Sequence, residues 1–446
     1  MKKLIYTTAC VLLVAGSWSC SKMIDDIAPK NAIKVDLLTD NDLGKLTNGV
    51  SYRMEGLVTS LWHQGDFLAE NYTSGPGFDY PDVHAETQAP ASSMALSAWR
   101  DSFGVLNDVN ELLKAAKGTA PQAVNAAGTA YFYRAWIYYN LVIRFGGVPL
   151  LTAPASDVVP ISAEDAIWTQ VISDCRAAIE RLPETASIYY PTKNAAKLLL
   201  ARTLLWKGEN GEAASLASEV IATPAYALEE SSDGWAKMFV YGTSSKEIVF
   251  ALANVRASGF NLLFERVNDT DGSWNYSPAP KYYNNLFSDT AVHSGDIRGA
   301  ATFSALDASR VIKLPNGQGG QFVENAKASN SPIVLFRLAD AYLIRAEALG
   351  KTAGKEVLKT FMEKRYATVN LPASPSDSEW QDLLLEENNR EFFAEGRRWF
   401  EIKRTGRTDL YDSWEGRDFL LYWPIPQKER DIAGKTAYPQ NPGYND

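Results

Sequence analysis

The chain has only three histidines, His63, His84 and His293, and they are the first candidates for metal or acid–base chemistry. Metal sites need a second ligand at a short, regular interval, as in His-Glu-x-x-His, and no such spacing surrounds any of the three. We therefore predict no metal site and no cofactor, and we interpret each histidine as a polar loop residue.

Other catalytic patterns are missing as well. The run NDTDG at 268–272 is only faintly like a calcium loop, because alignment on Gly272 puts Val267 and Pro278 where oxygen ligands are required. The sequence contains no glycine-rich phosphate loop, no Gly-x-Ser-x-Gly elbow and no Cys/His pair. A pair of catalytic carboxylates for glycoside hydrolysis remains a possibility. The sequence has 53 acidic residues, and it does not show which two of them lie roughly 5–10 Å apart in the fold. The sequence favours a binding protein, with a glycoside hydrolase as the less favoured alternative.

Two aromatic loops could bind a sugar, whose C–H faces stack on flat rings while its hydroxyls pair with amides and carboxylates. In the segment 61–84, Tyr72, Phe78 and Tyr80 lie among Asn71 and two aspartates in a stretch broken by Gly and Pro. No regular face buries these rings, so we predict that they are exposed candidates for ligand contact. Packing of the rings within the loop is the alternative.

The second loop, 266–283, contains DGSWNYSP, in which Trp274 and Tyr276 flank Asn275. Gly272 and Pro278 disfavour a helix here, and in an extended segment residues two apart point to the same side. We predict that Trp274 and Tyr276 form an exposed stacking platform with Asn275 beside them. Packing of the two rings within the loop is the alternative.

A third aromatic stretch, NNREFFAEGRRWFEIKRTG at 388–406, is interpreted as structural. Acids and bases balance over 386–404, so no net field attracts phosphate. Its apolar residues follow the spacing of one helix face, with pairing of Glu386 to Arg390 and of Arg397 to Glu401. These apolar positions are Phe392, Phe393, Gly396, Trp399 and Phe400. We predict one buried helix face, in which Gly396 admits another backbone.

The elements around these loops are mostly helical. Helical patterns cover 99–118, 123–147, 162–183 and 195–221, and the last of these is split by a turn at Gly208 to Gly211. Ala201 and Ala213 lie twelve residues apart across that turn, a spacing similar to the small-residue contact of a tetratricopeptide repeat. KEIVFALAN at 246–254 predicts a short strand, and helices resume at 331–350. We predict an all-α fold of helical hairpins with long loops and a few short strands.

The first residues, MKKLIYTTACVLLVAGSWSC, have the lysines and the short apolar run of a signal peptide, which is too short to span a bilayer. Ser17 to Cys20 resembles a bacterial lipobox, so we predict removal of residues 1–19 and acylation of Cys20, for example with palmitate. An ordinary secretory signal is the alternative. Without residues 1–19 the chain has 42 basic and 53 acidic residues, which argues against nucleic acid. Cys175 is then the one cysteine inside the fold, in an apolar helical stripe, and we predict that it is buried.

Four segments in order resemble the SusD/RagB family of outer-membrane lipoproteins. They are YFYRAWIYYNLVIRFGGVPLL (131–151), FRLADAYLIRAEAL (336–349), NNREFFAEGRRWFEIKRTG (388–406) and WPIPQKERDIAGKTAYPQNPGY (423–444). The resemblance implies a tetratricopeptide-like region at 20–245 and a C-terminal SusD/RagB region at 246–446, so the arginine-aromatic stretch is a framework element.

The resemblance also implies a function. Proteins of this family lie on the outer face of the outer membrane and capture oligosaccharides, or peptides in some members, for a SusC-like TonB-dependent transporter. We therefore expect a lipid-anchored, non-enzymatic glycan-binding protein with that partner. A peptide-binding protein of the same architecture is the alternative, and no motif transfers ligand residues one by one.

Overall fold

The structure is a computed structural model that describes residues 40–76, 89–241, 245–254, 267, 274–314, 317–318, 321–322, 332–411 and 416–445. Cys20, Phe78, Tyr80 and His84 lie outside these ranges, and so do most residues of 255–273. The predictions made for them stay predictions.

The first half of the chain is helical. Its helices are α1 (Asp40–Leu61), α2 (Gln64–Leu68), α3 (Ser93–Ala115), α4 (Pro121–Phe145), α5 (Glu164–Arg181), α6 (Lys193–Lys207), α7 (Asn210–Ile221) and α8 (Ser232–Tyr241). Apart from short α2, successive helices from α1 to α7 pack on one another as an array of hairpins, in which α4 contacts α1, α3 and α5. This arrangement confirms the predicted all-α architecture of stacked helix pairs.

Local sequence explains where several of these helices begin and end. Pro121 occupies the first turn of α4, where its missing N–H costs nothing, and Gly146 follows the last turn with φ 70°. Helix α6 begins after Thr192, whose hydroxyl accepts the Ala195 N–H, and it ends at Gly208 in the left-handed region. The hairpin turn predicted at Gly208 is therefore confirmed.

The second half combines short antiparallel strand pairs with helices. The remaining elements are β1 (Tyr72–Ser74), β2 (Ile248–Leu252), β3 (Tyr276–Pro278), α9 (Pro280–Asn285), β4 (His293–Asp296), α10 (Gly299–Thr302), β5 (Gly317–Gln318), β6 (Gln321–Phe322), β7 (Ile333–Arg337), α11 (Leu338–Met362), β8 (Tyr366–Val369), α12 (Asp377–Phe392), α13 (Arg398–Thr405) and α14 (Gln427–Ala433). The strands pair as β1–β3, β2–β7, β4–β8 and β5–β6. Strand β2 confirms the strand predicted at 246–254, and α11 packs on α7 at the end of the helical array.

One large cluster of buried apolar side chains runs from Leu43 to Ile425, so both predicted regions contribute to the same core. Cys175 is fully buried in α5, as predicted. Of the helical tryptophans, Trp99, Trp136 and Trp168 are buried, and Trp206 is half-buried with its ring 5.6 Å from that of Trp168. These rings stabilise the array by removing large apolar surfaces from water.

The stretch 388–406 differs from its prediction. It forms two helices, because the chain turns between α12 and α13, with Ala394 at φ 66° and Gly396 at φ 74°. A Cβ on Gly396 would lie 1.9 Å from the Trp62 carbonyl oxygen, so the close backbone approach is confirmed while the single helix is wrong. The ion pairs of Glu386 with Arg390 (3.1 Å) and of Arg397 with Glu401 (3.6 Å) form as predicted.

Two histidines also differ from their prediction. His63 and His293 are buried, whereas both were interpreted as polar loop residues. His63 stacks on the Tyr276 ring between α1 and α2, and His293 lies in β4 with its ring centroid 4.3 Å from that of Tyr366. Burial lowers the pKa of the His293 imidazole, which favours the neutral ring in this apolar contact.

Ten charged side chains form a buried charge network between the strand pairs and α12. Its members are Asp296, Arg298, Lys313, Arg337, Arg365, Arg390, Glu247, Glu387, Glu391 and Glu395. Five cations face five carboxylates, so the charges cancel within the network. Because Glu247 precedes β2, Arg337 ends β7 and Glu391 belongs to α12, the network connects elements that are distant in the chain.

Among the residues the structure describes, no helix has both the length and the apolar character required to cross a membrane.

Candidate functional site

The two aromatic loops singled out in the sequence meet in one antiparallel ribbon, β1–β3. Tyr72 pairs with Pro278, Thr73 with Ser277 and Ser74 with Tyr276. The ribbon continues for one more residue, because the Gly75 N–H donates to the Asn275 carbonyl at 2.7 Å. Residues 72–75 and 275–278, about 200 positions apart in sequence, therefore form one element, which we call the β1–β3 ribbon.

One face of the ribbon is turned into the protein. Tyr72 and Tyr276 lie diagonally across the strands with nearly parallel rings 5.8 Å apart, and Tyr276 also contacts His63 and Phe67. The Tyr276 side chain is fully buried, and Tyr72 is 6% exposed. The prediction that these two rings are exposed is therefore wrong, because the partner strand and α2 cover a face that the sequence alone left open.

Trp274 is buried as well, at 3% exposure. Its Nε1 donates to the Ser309 carbonyl at 2.9 Å and to Ser277 Oγ at 3.2 Å, while the Arg310 guanidinium carbon lies 4.2 Å from the ring centroid. The exposed platform predicted from Trp274 and Tyr276 is therefore not the arrangement found. Ligand contact by either residue stays a prediction.

The other face of the ribbon carries polar groups. Thr73 is exposed and Asn275 is half-buried. Gly75 is required here, because a Cβ at this position would lie 2.4 Å from the Trp274 carbonyl oxygen. Hydroxyl and amide groups on a rigid two-stranded element can donate to and accept from a polar ligand without first being ordered.

A charged pair beside the ribbon was not found by the sequence analysis. Arg310 Nε donates to Asp307 Oδ2 at 3.1 Å, and the two side chains are 21% and 40% exposed. Burial raises the pKa of the Asp307 carboxyl, but hydrogen bonds from Ser309 and Arg310 outweigh it, so the pKa lies below its usual 3.8. The Asp307 carboxyl is thus charged at neutral pH, and its partner Arg310 lies over the Trp274 ring. No sequence signal connected 307–310 with 274, since the contact joins separate loops.

Tyr282 lies within the predicted loop 266–283 but was not singled out. It belongs to α9, which begins at Pro280 directly after β3, and its ring is half-buried. Lys281 Nζ lies 5.2 Å from the Tyr282 ring centroid and 3.5 Å from Glu70 Oε2. The Pro-Lys-Tyr-Tyr run, with proline in the first helical turn, is the local signal that could have identified it.

The buried Asp66 carboxyl is hydrogen-bonded to the residue that precedes β1. Asp66 in α2 accepts the Asn71 side-chain amide at 2.9 Å and the Gly396 N–H at 2.6 Å, and Asn71 also donates to Asn389 at 2.9 Å. Burial raises the pKa of the Asp66 carboxyl from 3.8 to about 6, although these donors oppose the shift. Asp66 therefore connects the start of β1 to the turn between α12 and α13.

In the described ranges, no three or more His, Cys, Asp or Glu side chains are grouped so that they could hold a metal ion. The charged groups near the ribbon are engaged with protein partners.

Known proteins share both the sequence pattern and the fold. A family model described as "Starch-binding associating with outer membrane" (SusD-like) matches residues 86–205, and the SusD family model (SusD_RagB) matches residues 310–419. The chain is similar to SusD-like protein P2 of Formosa agariphila, with 25% identity and 100% of both chains covered.

Solved structures resemble this chain over most of its length. A SusD superfamily protein from Bacteroides vulgatus has a TM-score of 0.75 and 21% identity, covering 92% of this chain and 100% of its own. Surface glycan-binding protein A from Bacteroides thetaiotaomicron, solved in complex with laminarihexaose, has a TM-score of 0.71 and 17% identity, covering 91% and 100%. At these identities the likeness concerns the fold. With family models matching in both halves and a relative aligned along its whole length, the chain belongs to the SusD/RagB family.

Proposed function

We propose that this protein binds oligosaccharides at the polar face of the β1–β3 ribbon. We further propose that it is a lipoprotein, anchored through Cys20 on the outer face of the outer membrane, and that it delivers its ligand to a SusC-like TonB-dependent transporter. The observation that carries the proposed site is the ribbon itself, in which the two loops predicted to contact ligand become one element. The starch-binding, membrane-associated description of the matching family model supports the ligand class and the location.

The chemistry of the ribbon suits a neutral, hydroxyl-rich ligand. Thr73 and Asn275 offer groups that both donate and accept hydrogen bonds, as sugar hydroxyls require. Arg310 and Asp307 add a donor and an acceptor whose charges cancel, so they can pair with hydroxyls without selecting an ion. Tyr282 supplies a half-buried ring for an apolar sugar face.

The buried aromatic rings have a different role in this proposal. Tyr72 and Tyr276 hold the ribbon in place, and Trp274 positions Arg310 by cation–π contact. Trp274 or Tyr276 could stack directly on the ligand only if that ring left its buried position. Ligand contact by Phe78 and Tyr80 remains part of the proposal, because they continue the chain that leaves β1.

The test is calorimetry of the purified protein against a panel of oligosaccharides and peptides. Asn275→Ala should weaken binding of the best glycan by about three- to tenfold, the effect of one lost hydrogen bond, and leave the melting temperature unchanged. The matched control is Asn48→Ala. Asn48 is an exposed asparagine on α1 and lies roughly 20 Å from Leu61, the end of that helix that leads towards the ribbon.

Four outcomes are informative. Weaker binding by Asn275→Ala but not by Asn48→Ala supports the ribbon as the site. Equal affinities for both variants place the site elsewhere. Binding of peptides and of no glycan points to the peptide-binding alternative. Sustained release of shorter sugars that one carboxylate substitution abolishes would make the protein a glycoside hydrolase.

The proposed partner is tested separately, because a captured oligomer does not cross the outer membrane by itself. Affinity purification from membranes should recover a TonB-dependent barrel together with this protein. Repeated purification without such a barrel would argue against the delivery step and leave glycan binding untouched.

A further inference from the structure

A cavity lies away from the ribbon, between the helical array and the C-terminal elements. Its volume is about 80 Å³, and it is partly open to solvent. Helices α1, α4 and α6 form one side of the cavity. The other side is formed by β7, by α13 and by the turn between α12 and α13. The lining residues that matter here are Trp62, Trp136, Asn140, Arg144, Arg202 and Phe400. Three large aromatic side chains with a few convergent polar groups are typical of a small-molecule site.

Arg144 is the unusual member of this lining. The side chain is 2% exposed, yet its hydrogen bonds within the described chain end on neutral oxygens of Gln64, Asn140 and Leu61. Its guanidinium carbon lies 4.6 Å from the Phe400 ring centroid. Burial lowers the pKa of Arg144 to about 9, in keeping with a buried guanidinium whose hydrogen bonds go to neutral oxygens.

Nearby structure offsets this charge only in part. Arg144 belongs to the last turn of α4, where the carbonyl groups carry partial negative charge. Lys403 also contacts this end of α4, because its Nζ donates to the Ile143 carbonyl at 2.9 Å. Burial lowers the pKa of Lys403 to about 7, and the Arg144 charge acts in the same direction. Buried Arg144 and half-buried Lys403 thus contact the same end of α4.

The other charges around the cavity are engaged. Glu395 accepts from Lys313 and Arg337, and Glu401 pairs with Arg404 at 2.6 Å. One Nη of Arg202 donates a hydrogen bond to Asp340, but the buried Nε of Arg202 has no hydrogen-bond partner within the described chain. A buried donor without an acceptor is destabilising, so Arg202 Nε is a group that a ligand could satisfy.

We propose that this cavity binds a small organic anion, a monocarboxylate with a flat apolar body. The carboxylate accepts hydrogen bonds from Arg144 and Arg202, and the apolar body lies among Trp62, Trp136 and Phe400. Guanidinium groups form charge-assisted hydrogen bonds with carboxylate oxygens, and the hydrogen bonds of Arg144 leave one N–H on Nη2 for such a contact. Such a ligand would contact both halves of the fold, so its binding should also stabilise the folded chain.

The test compares two probes that differ in charge and have nearly the same shape, benzoate and benzamide. Calorimetry and thermal unfolding are measured with the full mature chain at fixed ionic strength. Benzoate should bind at least about tenfold more tightly than benzamide and should raise the melting temperature, because charge-assisted hydrogen bonds to carboxylate exceed those to a neutral amide.

Three variants locate the binding. Arg144→Gln should weaken benzoate binding by at least about tenfold and leave benzamide binding unchanged. Arg176→Gln, an exposed arginine on α5, is the matched control and should bind both probes as the unmodified chain does. Leu335→Trp fills the cavity from β7 and should abolish benzoate binding, which decides the question if Arg144→Gln does not fold.

Some results would overturn the proposal. Equal affinity for the two probes, or no binding of either at about 10 mM, would mean that the cavity does not recognise a carboxylate. Unchanged benzoate binding by Leu335→Trp would place the anion elsewhere. None of these results bears on glycan binding at the ribbon, because the two sites share no proposed contact residue.

Discussion

Substitution of Glu391 is the sharpest test of the buried charge network. Its side chain is fully buried and accepts hydrogen bonds from three arginines: Arg298 at 2.8 Å, Arg365 at 3.0 Å from each of two nitrogens, and Arg337. Burial opposes ionisation, but these three guanidinium groups hold the pKa of the Glu391 carboxyl well below its usual 4.5. Glu391 is therefore charged at neutral pH, in contact with several cations.

Glu391→Gln keeps the shape of the side chain and removes its charge. One oxygen becomes an amide nitrogen that faces arginine donors, and the network is left with one cation in excess. Loss of one partner from a buried ion pair costs about 3–5 kcal/mol, so we expect a fall of that size in the free energy of unfolding. Against a typical total of about 5–15 kcal/mol, such a loss is large.

The assay is urea unfolding at pH 7, followed by far-ultraviolet circular dichroism. The matched control is Glu212→Gln, because Glu212 pairs with Arg176 at 3.0 Å but the two side chains are 41% and 55% exposed. An exposed pair contributes about 0–1 kcal/mol, so the control should unfold almost as the unmodified chain does. The denaturant midpoint should shift for Glu391→Gln while the slope stays constant.

The sign of the pH dependence follows from the lowered pKa. A carboxyl whose pKa is lowered by folding stabilises the fold above its unfolded pKa, and the effect is lost as pH falls through the folded pKa. The difference between Glu391→Gln and the unmodified chain should therefore persist at pH 5 and disappear only in stronger acid. A loss below about 1 kcal/mol, no larger than for Glu212→Gln, would refute the reasoning.

Three further predictions concern other positions. Asp66 has a pKa raised to about 6, so the unmodified chain should lose about 3 kcal/mol of stability relative to Asp66→Asn as pH rises from about 3 to 7, with most of the loss between about pH 4 and 6; urea unfolding at each pH measures this difference, and a flat difference would contradict the shift. Gly396→Ala should cost clearly more than Gly406→Ala in thermal unfolding, because both have positive φ (74° and 70°) but only the first meets another backbone; equal costs would mean that the close contact is unimportant. Cys20→Ala should release the protein from outer membranes and abolish fatty-acid labelling, and a variant that still fractionates with membranes and labels normally would contradict lipidation at this residue.

Much of the helical fold could be predicted from the sequence. The helix ends at Gly146 and Gly208, the strand at 246–254 and the burial of Cys175 depend on residues within a few positions of one another. Spacing and capping chemistry act over that range, so a linear sequence reveals them. The pairs Glu386–Arg390 and Arg397–Glu401 belong to the same class, and they form even though the helix between them is broken.

The candidate site could be predicted only in outline. The two loops were identified by their aromatic and polar residues, but their pairing in one ribbon was not. Trp274 and Tyr276 were expected on the surface, because a Gly/Pro-broken segment has no regular face that the sequence could mark as buried. The partner strand, Ser309 and α2 bury them, and these contacts come from separate parts of the chain.

By itself, the sequence determined the family, the helical hairpins and the segments from which the candidate site is built, since each depends on local residue types and their order. The tertiary structure decided which faces are buried, where the stretch 388–406 breaks and which charges meet. The Asp66 carboxylate accepts the Gly396 N–H across 330 positions, and the Trp62 indole donates to the Ala394 carbonyl across 332. No local period encodes such contacts, because they exist only after the array and the C-terminal elements have packed together and have excluded water from the groups between them.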